Sequence, residues 1–181
     1  MSINHLTSRY PLVIRILHWL IVLMLIIQFM PLYINQKELT DFQRQFIGMP
    51  THFSLGVTIG LFMLLRVLIR SFSTSPTLPA DFPVVFKIVA RLVQTLLYIL
   101  IIIMPIIGLL MMNAGGYSLN WWGSFEIPKI IGQDQELRHT LKEVHEANAF
   151  LILGLIGLHI LGSFYHYFIR KDQVLKSMWF N

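Results

Sequence analysis

Four apolar stretches, Leu12 to Ile34, Gly48 to Ile69, Leu92 to Met112 and Val144 to Ile169, dominate this chain and restrict its fold more than any motif does. A helix rises about 1.5 Å per residue, so about 20 apolar residues cross the hydrocarbon core of a bilayer, and each stretch is long enough. Lipid cannot satisfy free backbone groups, which leaves helices as the spanning form for runs of this length. The balance of residues agrees: 55% are hydrophobic and only 13% charged, with a mean hydropathy of +0.65, whereas soluble domains carry about 25% charged residues. The expected fold is all-α, an integral membrane four-helix bundle, with residues 1–181 forming one transmembrane domain. The first stretch follows a basic amino terminus, but it is too long for a signal peptide and no small-residue cleavage site follows it. It reads as a retained helix.

Basic residues set the expected orientation. Arg9, Arg15, Arg66, Arg70, Lys87, Arg91, Arg170, Lys171 and Lys176 fall on one side, against Asp81 and Asp172. The other side holds Lys37, Arg44, Lys129, Arg138 and Lys142 against seven acids, Glu38, Asp41, Glu126, Asp134, Glu136, Glu143 and Glu146. Both termini are therefore expected in the cytoplasm. The net charge of +5 is a topology signal spread over membrane edges, which excludes a nucleic-acid tract. Tyr117, Trp121 and Trp122 are expected to anchor the outer interface, within a loop from Asn113 to about Glu143 that is the longest segment outside the spans. The connector Ser71 to Pro83 is short and proline-marked.

The chain has no cysteine, which removes thiol–disulfide exchange, iron–sulfur clusters and covalent haem attachment. Neither a nucleotide-binding glycine motif nor a zinc-type His–Glu spacing is present. The chemistry lies in the histidines. An ionisable ring inside a membrane helix is a functional hypothesis by default, although a single one also serves as a hydrogen-bonding contact between helices. His145 and His159 lie fourteen residues apart on the fourth stretch. That spacing is close to four helical turns, so both rings project within about 40° of one face at levels about 21 Å apart. With alternating helix directions, His52 falls at the outer level of His145, and His18 at the inner level of His159. Two stacked bis-histidine haems would need this arrangement.

Other residues carry less. Gly48, Gly56 and Gly60 flank His52 at i+4 steps, a face that admits either a flat macrocycle or a close helix contact. Gly154, Gly157 and Gly162 around His159 carry the same two readings. Arg66, fourteen residues beyond His52, is a candidate partner for the propionates of an inner haem, alongside the plain reading of a headgroup arginine. His166 is a candidate for a quinone site or a propionate contact, against the plain reading of an interfacial histidine. His5 and His139 lie in polar segments and read as solvated. The third stretch has no histidine; its Pro105 and Gly108 are expected to set a kink and close packing.

Several pieces resemble the bacterial cytochrome b561 family, four-helix dihaem proteins of the inner membrane. They are Ile16-Leu17-His18-Trp19-Leu20, His52 with Leu65-Arg66 and Arg70, Pro105 to Leu109 with Met111-Met112, Leu141-Lys142 leading to His145-Glu146, Gly157-Leu158-His159, and His166 through Lys171-Asp172. The resemblance covers essentially the whole chain, and the order and spacing of the pieces make it specific. Where some family members have histidines in the third helix, this chain has Arg91 and Gln94. The resemblance implies two haem b groups whose irons are ligated by His18, His52, His145 and His159. It also implies electron exchange with the quinone pool: superoxide oxidised to oxygen at the outer face, electrons passed from the outer to the inner haem, and ubiquinone reduced. Two histidine ligands leave no open position on iron, which favours outer-sphere electron transfer.

An anion such as superoxide needs local positive charge, and Lys142, one turn before His145, is the best-placed candidate, with Arg138 and Lys129 behind it. The plain alternative pairs Lys142 with Glu146 at i+4. The expected partners are membrane lipid, ubiquinone and superoxide. A cytochrome subunit linking a redox protein partner, a dehydrogenase, to quinone is the alternative function. A non-haem four-helix transporter is a further one, but it leaves four matched histidines without a role.

Overall fold

In the computed structural model of the chain, the described residues are 9–30, 40, 48–74, 76 and 83–180. Four helices, α1 (Leu12–Phe29), α2 (Met49–Ser71), α3 (Val84–Ala114) and α4 (Gln135–Phe164), make an all-α architecture. The spans 12–29, 49–71, 84–114 and 135–170 are each long and apolar enough to cross a membrane. Prolines mark the helix starts: Pro11 and Pro83 stand just ahead of α1 and α3, and Pro50 lies in the first turn of α2. A first-turn position needs no intrahelical N–H donor, so proline costs nothing there.

Helices consecutive in the chain pack side by side, and the α3–α4 contact is the most extensive. The core joins Ile21 and Met24 of α1, Leu55, Ile59 and Met63 of α2, Ile101 of α3 and Ile152 of α4. Leu23, Ile26, Leu64, Leu68, Phe150 and Phe164 point outward, as lipid-facing side chains must. Lipid supplies no hydrophobic drive for helix association, so close backbone approach carries the packing. Gly60 shows this: a Cβ there would lie 2.8 Å from Pro105 Cγ. Gly56 faces Gln28 of α1 in the same way, at 3.2 Å. Gly60 thus serves a close contact between α2 and α3, while Gly56 lies against the amide end of the Gln28 side chain.

Three departures from the sequence expectations stand out. First, α4 begins at Gln135 rather than Val144, with Asp134 Oδ1 accepting from the N–H groups of Glu136 and Leu137 at 3.0 Å each. These first turns are polar, so hydropathy does not register them. α3 likewise begins at Val84 instead of Leu92, and the part of the first stretch beyond Met30 lies outside the described residues.

Second, the segment after α3 is no plain loop. It folds into a hairpin, β1 (Leu119–Trp121) against β2 (Phe125–Ile127), with Trp121 opposite Phe125. The turn uses positive φ at Trp122 (51°) and Gly123 (70°), a conformation cheap only for the glycine. The tryptophans fasten this hairpin to α2. Trp121 Nε1 donates to Ser54 O and Thr58 Oγ1, both at 3.2 Å, while Trp122 donates from its backbone N to Ser54 Oγ (3.0 Å) and from Nε1 to Thr58 Oγ1 (3.1 Å).

Third, α4 runs into a π-helical turn, Tyr165–Arg170, before Lys171 reverses the chain at φ 52°. The tail then clasps the start of α1. Tyr10 N donates to Ser177 O (3.1 Å), Arg15 to Trp179 O (2.7 Å) and Trp19 Nε1 to Met178 O (2.9 Å). The Trp19 and Trp179 rings meet edge to face at 5.1 Å.

Candidate cofactor site

Four half-buried histidines meet in two pairs. His18 of α1 faces His159 of α4 with ring centroids 6.2 Å apart and planes at 72°; His52 of α2 faces His145 of α4 at 6.2 Å and 61°. One helix thus supplies a ring to each pair. The first pair lies at the end where α1 begins and the chain finishes, and the second at the hairpin end. Ile21, Met24, Ile59, Met63 and Ile152 fill the space between the levels.

The pairs fit a flat metal macrocycle. Bonds from metal to imidazole nitrogen run about 2.0–2.1 Å, so two rings on opposite sides of one ion have centres about 6 Å apart. Among the described residues no three His, Cys, Asp or Glu side chains converge, so each pair could offer two such ligands, and a metal held there would need a cofactor to fill its other positions. The helices leave room for it: α4 packs on α3, while its backbone approaches to α1 and α2 are marginal. Positions Gly154, Gly157 and Gly162 of α4 face open space, with no heavy atom within 4 Å of an added Cβ. His145 Nδ1 is buried without a hydrogen-bond partner. These residues are consistent with haem.

Polar and small residues surround the His52–His145 pair. Gln28 Nε2 lies 3.3 Å from His52 Nε2 and donates to His52 O at 3.1 Å. Gly108 leaves space for the His145 ring, whose Cε1 would stand 3.5 Å from an added Cβ. Asn148, one turn past His145, is buried, and its Nδ2 donates to Leu100 O at 3.4 Å. The available signal was a lone polar residue in an apolar run, which both Gln28 and Asn148 supply.

At the other pair, Arg66 is only 8% exposed, its Nε has no hydrogen-bond partner, and its guanidinium lies 5.2 Å from the centre of the Tyr98 ring. It is close enough to act electrostatically on both His18 and His159. His166 is buried rather than interfacial, with Nδ1 2.7 Å from Asp172 Oδ2. Burial alone would raise the Asp172 carboxyl. The hydrogen bonds from His166 and from Val174 N, with Arg170 Nε at 3.4 Å, outweigh that and hold it below its ordinary value.

At the hairpin end, Lys142 Nζ stands 3.5 Å from Glu146 Oε1, both side chains being more than half exposed. The i+4 pairing is therefore present. Lys129 donates to Gly116 O at 2.7 Å, Arg138 lies over the Tyr117 ring at 5.5 Å, and exposed His139 is 3.6 Å from Glu143. Gln135, Arg138, His139 and Lys142 line a cavity of about 330 Å³. A second cavity, of about 390 Å³ and lined by Arg9, Tyr167, Leu175, Lys176 and Trp179, lies at the opposite end. His5 lies outside the described residues.

Residues 9–181 match the family of prokaryotic cytochrome b561. The chain belongs to that family. Cytochrome b561 homolog 1 of Escherichia coli (strain K12) is 24% identical over 162 residues, covering 90% of this chain and 92% of the relative. The probable superoxide oxidase CybB of Yersinia pestis is 30% identical over 164 residues, covering 90% of each. Membership makes this protein a multi-pass cytochrome of the bacterial inner membrane that works in electron transport, and b-type haem is the cofactor the family implies.

Proposed function

We propose that this b561 cytochrome holds two haem b groups, one between His18 and His159 and one between His52 and His145, and uses them to oxidise superoxide and reduce ubiquinone. The observation that carries the reading is the pair of matched ring separations, 6.2 Å at each of two levels on one shared helix. The 30% identical relative from Yersinia pestis, named as a probable superoxide oxidase, supports the substrate. Both termini are assigned to the cytoplasm on the asymmetry of basic residues, which makes the hairpin end periplasmic.

The net reaction balances as two superoxide anions, one ubiquinone and two protons giving two dioxygen molecules and one ubiquinol. Haem held between the paired histidines would supply one-electron transfer. The protein's part is to admit and hold the reactants. Arg138 and Lys142, two turns and one turn before His145, give the hairpin-end cavity local positive charge, which is where an anion would approach,. Glu146 moderates the Lys142 charge, so the cluster rather than the single lysine does the attracting. Quinone is placed in the terminal-end cavity, whose volume lies within the roughly 300–1,000 Å³ of small-molecule sites,. The His166–Asp172 pair lies at this end as a proton donor to quinone or a propionate contact, and Arg66 is the propionate partner of the haem at His18 and His159.

A second reading has one observation in its favour. Trp122, Phe125 and Ile130 are more than half exposed around the hairpin, an apolar patch suited to a dehydrogenase partner that would feed electrons to quinone through this chain. A reduced-minus-oxidised spectrum of the purified protein with haem quantitation, followed by superoxide and then short-chain ubiquinone, tests both. Two low-spin b haems reduced by superoxide and reoxidised by quinone are expected. Two haems indifferent to superoxide would shift the assignment to the partner-fed carrier, and no haem would end the proposal.

A further inference from the structure

We propose that Arg66 sets the direction of electron flow through the bundle, by holding a buried positive charge at the His18–His159 pair that the His52–His145 pair lacks. The inference rests on the dihaem reading and adds which site holds the electron at equilibrium. Arg66 lies in the last two turns of α2 with 8% exposure, and its nearest aromatic neighbour is neutral Tyr98. A guanidinium stays charged in proteins. Among the described residues no acid pairs with it: Asp172, the acid at this end, is held by His166, Arg170 and Val174 N. Arg70, 5.1 Å from the centre of the Tyr10 ring, and Arg15, which donates to Trp179 O, add charge of the same sign.

The other pair has a different setting. Its buried polar neighbours, Gln28 and Asn148, are neutral. Among the described residues, the charges that flank His145 on α4 are Lys142 and Glu146, which oppose each other and are exposed to screening water,. Among the described residues, the surroundings of the two sites therefore differ by about one buried cation.

An added electron is a negative charge, and a cation in a low-dielectric setting stabilises it more strongly than one in water. The sign survives pairing with a propionate, because neutralising one carboxylate also favours the reduced form. One electron is lost at the hairpin-end haem and gained at the terminal-end haem, and the buried arginine makes that transfer downhill. Electrons taken from superoxide at the hairpin end then collect where quinone is reduced.

Optical redox titration of the purified holoprotein tests this without an activity assay. His18→Ala and His52→Ala assign the two haems, and the haem at His18 and His159 is expected to have the higher potential. Arg66→Gln should lower that potential, moving the equilibrium between the sites at least tenfold, about 59 mV for a one-electron couple, while Arg66→Lys keeps it within a few-fold and the other haem stays put. A reversed order of potentials in the unmodified protein, or an unchanged gap in an Arg66→Gln protein with both haems, would overturn the inference. Should Arg66→Gln fail to fold, the order of potentials decides alone. An unmodified protein with fewer than two haems would remove the dihaem reading and this inference together.

Discussion

Double replacement of the histidines gives the sharpest test of the site, because the geometry predicts a pattern and not merely a loss. Each pair stands at 6.2 Å across its site, while the two levels on α4 are about 21 Å apart at 1.5 Å per residue. No side chain spans that distance, so a ring from one level cannot rescue the other. His52→Ala with His145→Ala should leave one low-spin haem, about half of the reduced-minus-oxidised amplitude, and His18→Ala with His159→Ala the other half. Mixed doubles such as His52→Ala with His159→Ala damage both sites and should leave neither haem low-spin. Pyridine haemochrome quantitation on monodisperse protein, with spectra at low temperature to separate the two α-bands, reads this directly. A matched double that loses both haems, or a mixed double that keeps one intact, would refute the pairing.

Three further outcomes follow from particular contacts. Gly108→Ala should be tolerated, since its Cβ would meet His145 Cε1 at an ordinary 3.5 Å, whereas Gly108→Val should displace that ring and remove mainly the hairpin-end haem from the spectrum. Gly60→Ala would set a methyl 2.8 Å from Pro105 Cγ, an overpacking that costs about 1–3 kcal/mol; thermal unfolding in detergent should show the loss, and unchanged melting would mean that α2 and α3 do not approach as described. Asp172 has a depressed carboxyl value when folded, so its stabilisation is complete above the unfolded value of about 4 and disappears as pH falls through the folded one. The melting difference between unmodified protein and Asp172→Asn should therefore be full near pH 7 and close below about pH 4. A difference that is constant across this range would dismiss an ionised Asp172 carboxylate held by these hydrogen bonds.

The spans were readable because a bilayer imposes a length on apolar helices, and the histidine levels because helix direction alternates. The same logic fails where residues leave the lipid. Gln135 to Glu143 form about two and a half turns of α4 that hydropathy does not mark, and the hairpin depends on Trp121 and Trp122 finding Ser54 and Thr58 in a distant helix. Glycine roles were equally hidden. Gly56, Gly60 and Gly108 each make space for a specific neighbour, while Gly154, Gly157 and Gly162 face open space, and periodicity alone cannot tell a contact from a vacancy. The buried pairing of His166 with Asp172 depends on a π-helical turn and a left-handed Lys171, neither of which has a compositional signal.

The arrangement also says why so apolar a bundle retains so many polar groups. In hydrocarbon an unpaired ring or guanidinium is expensive and persists where something compensates it. His145 Nδ1, Arg66 Nε and the Tyr98 hydroxyl are all buried without hydrogen-bond partners among the described residues. The helices that present the facing rings, α4 on one side and α1 and α2 on the other, are those that pack least against each other. Two anchors outside the site compensate for the weak packing: the hairpin fixes one end to α2 by five hydrogen bonds, and at the other end the tail clasps the start of α1. The core side chains thus close the middle of the bundle, the anchors brace its ends, and the proposed haems would add counter-charge and packing at the two levels where the paired rings stand.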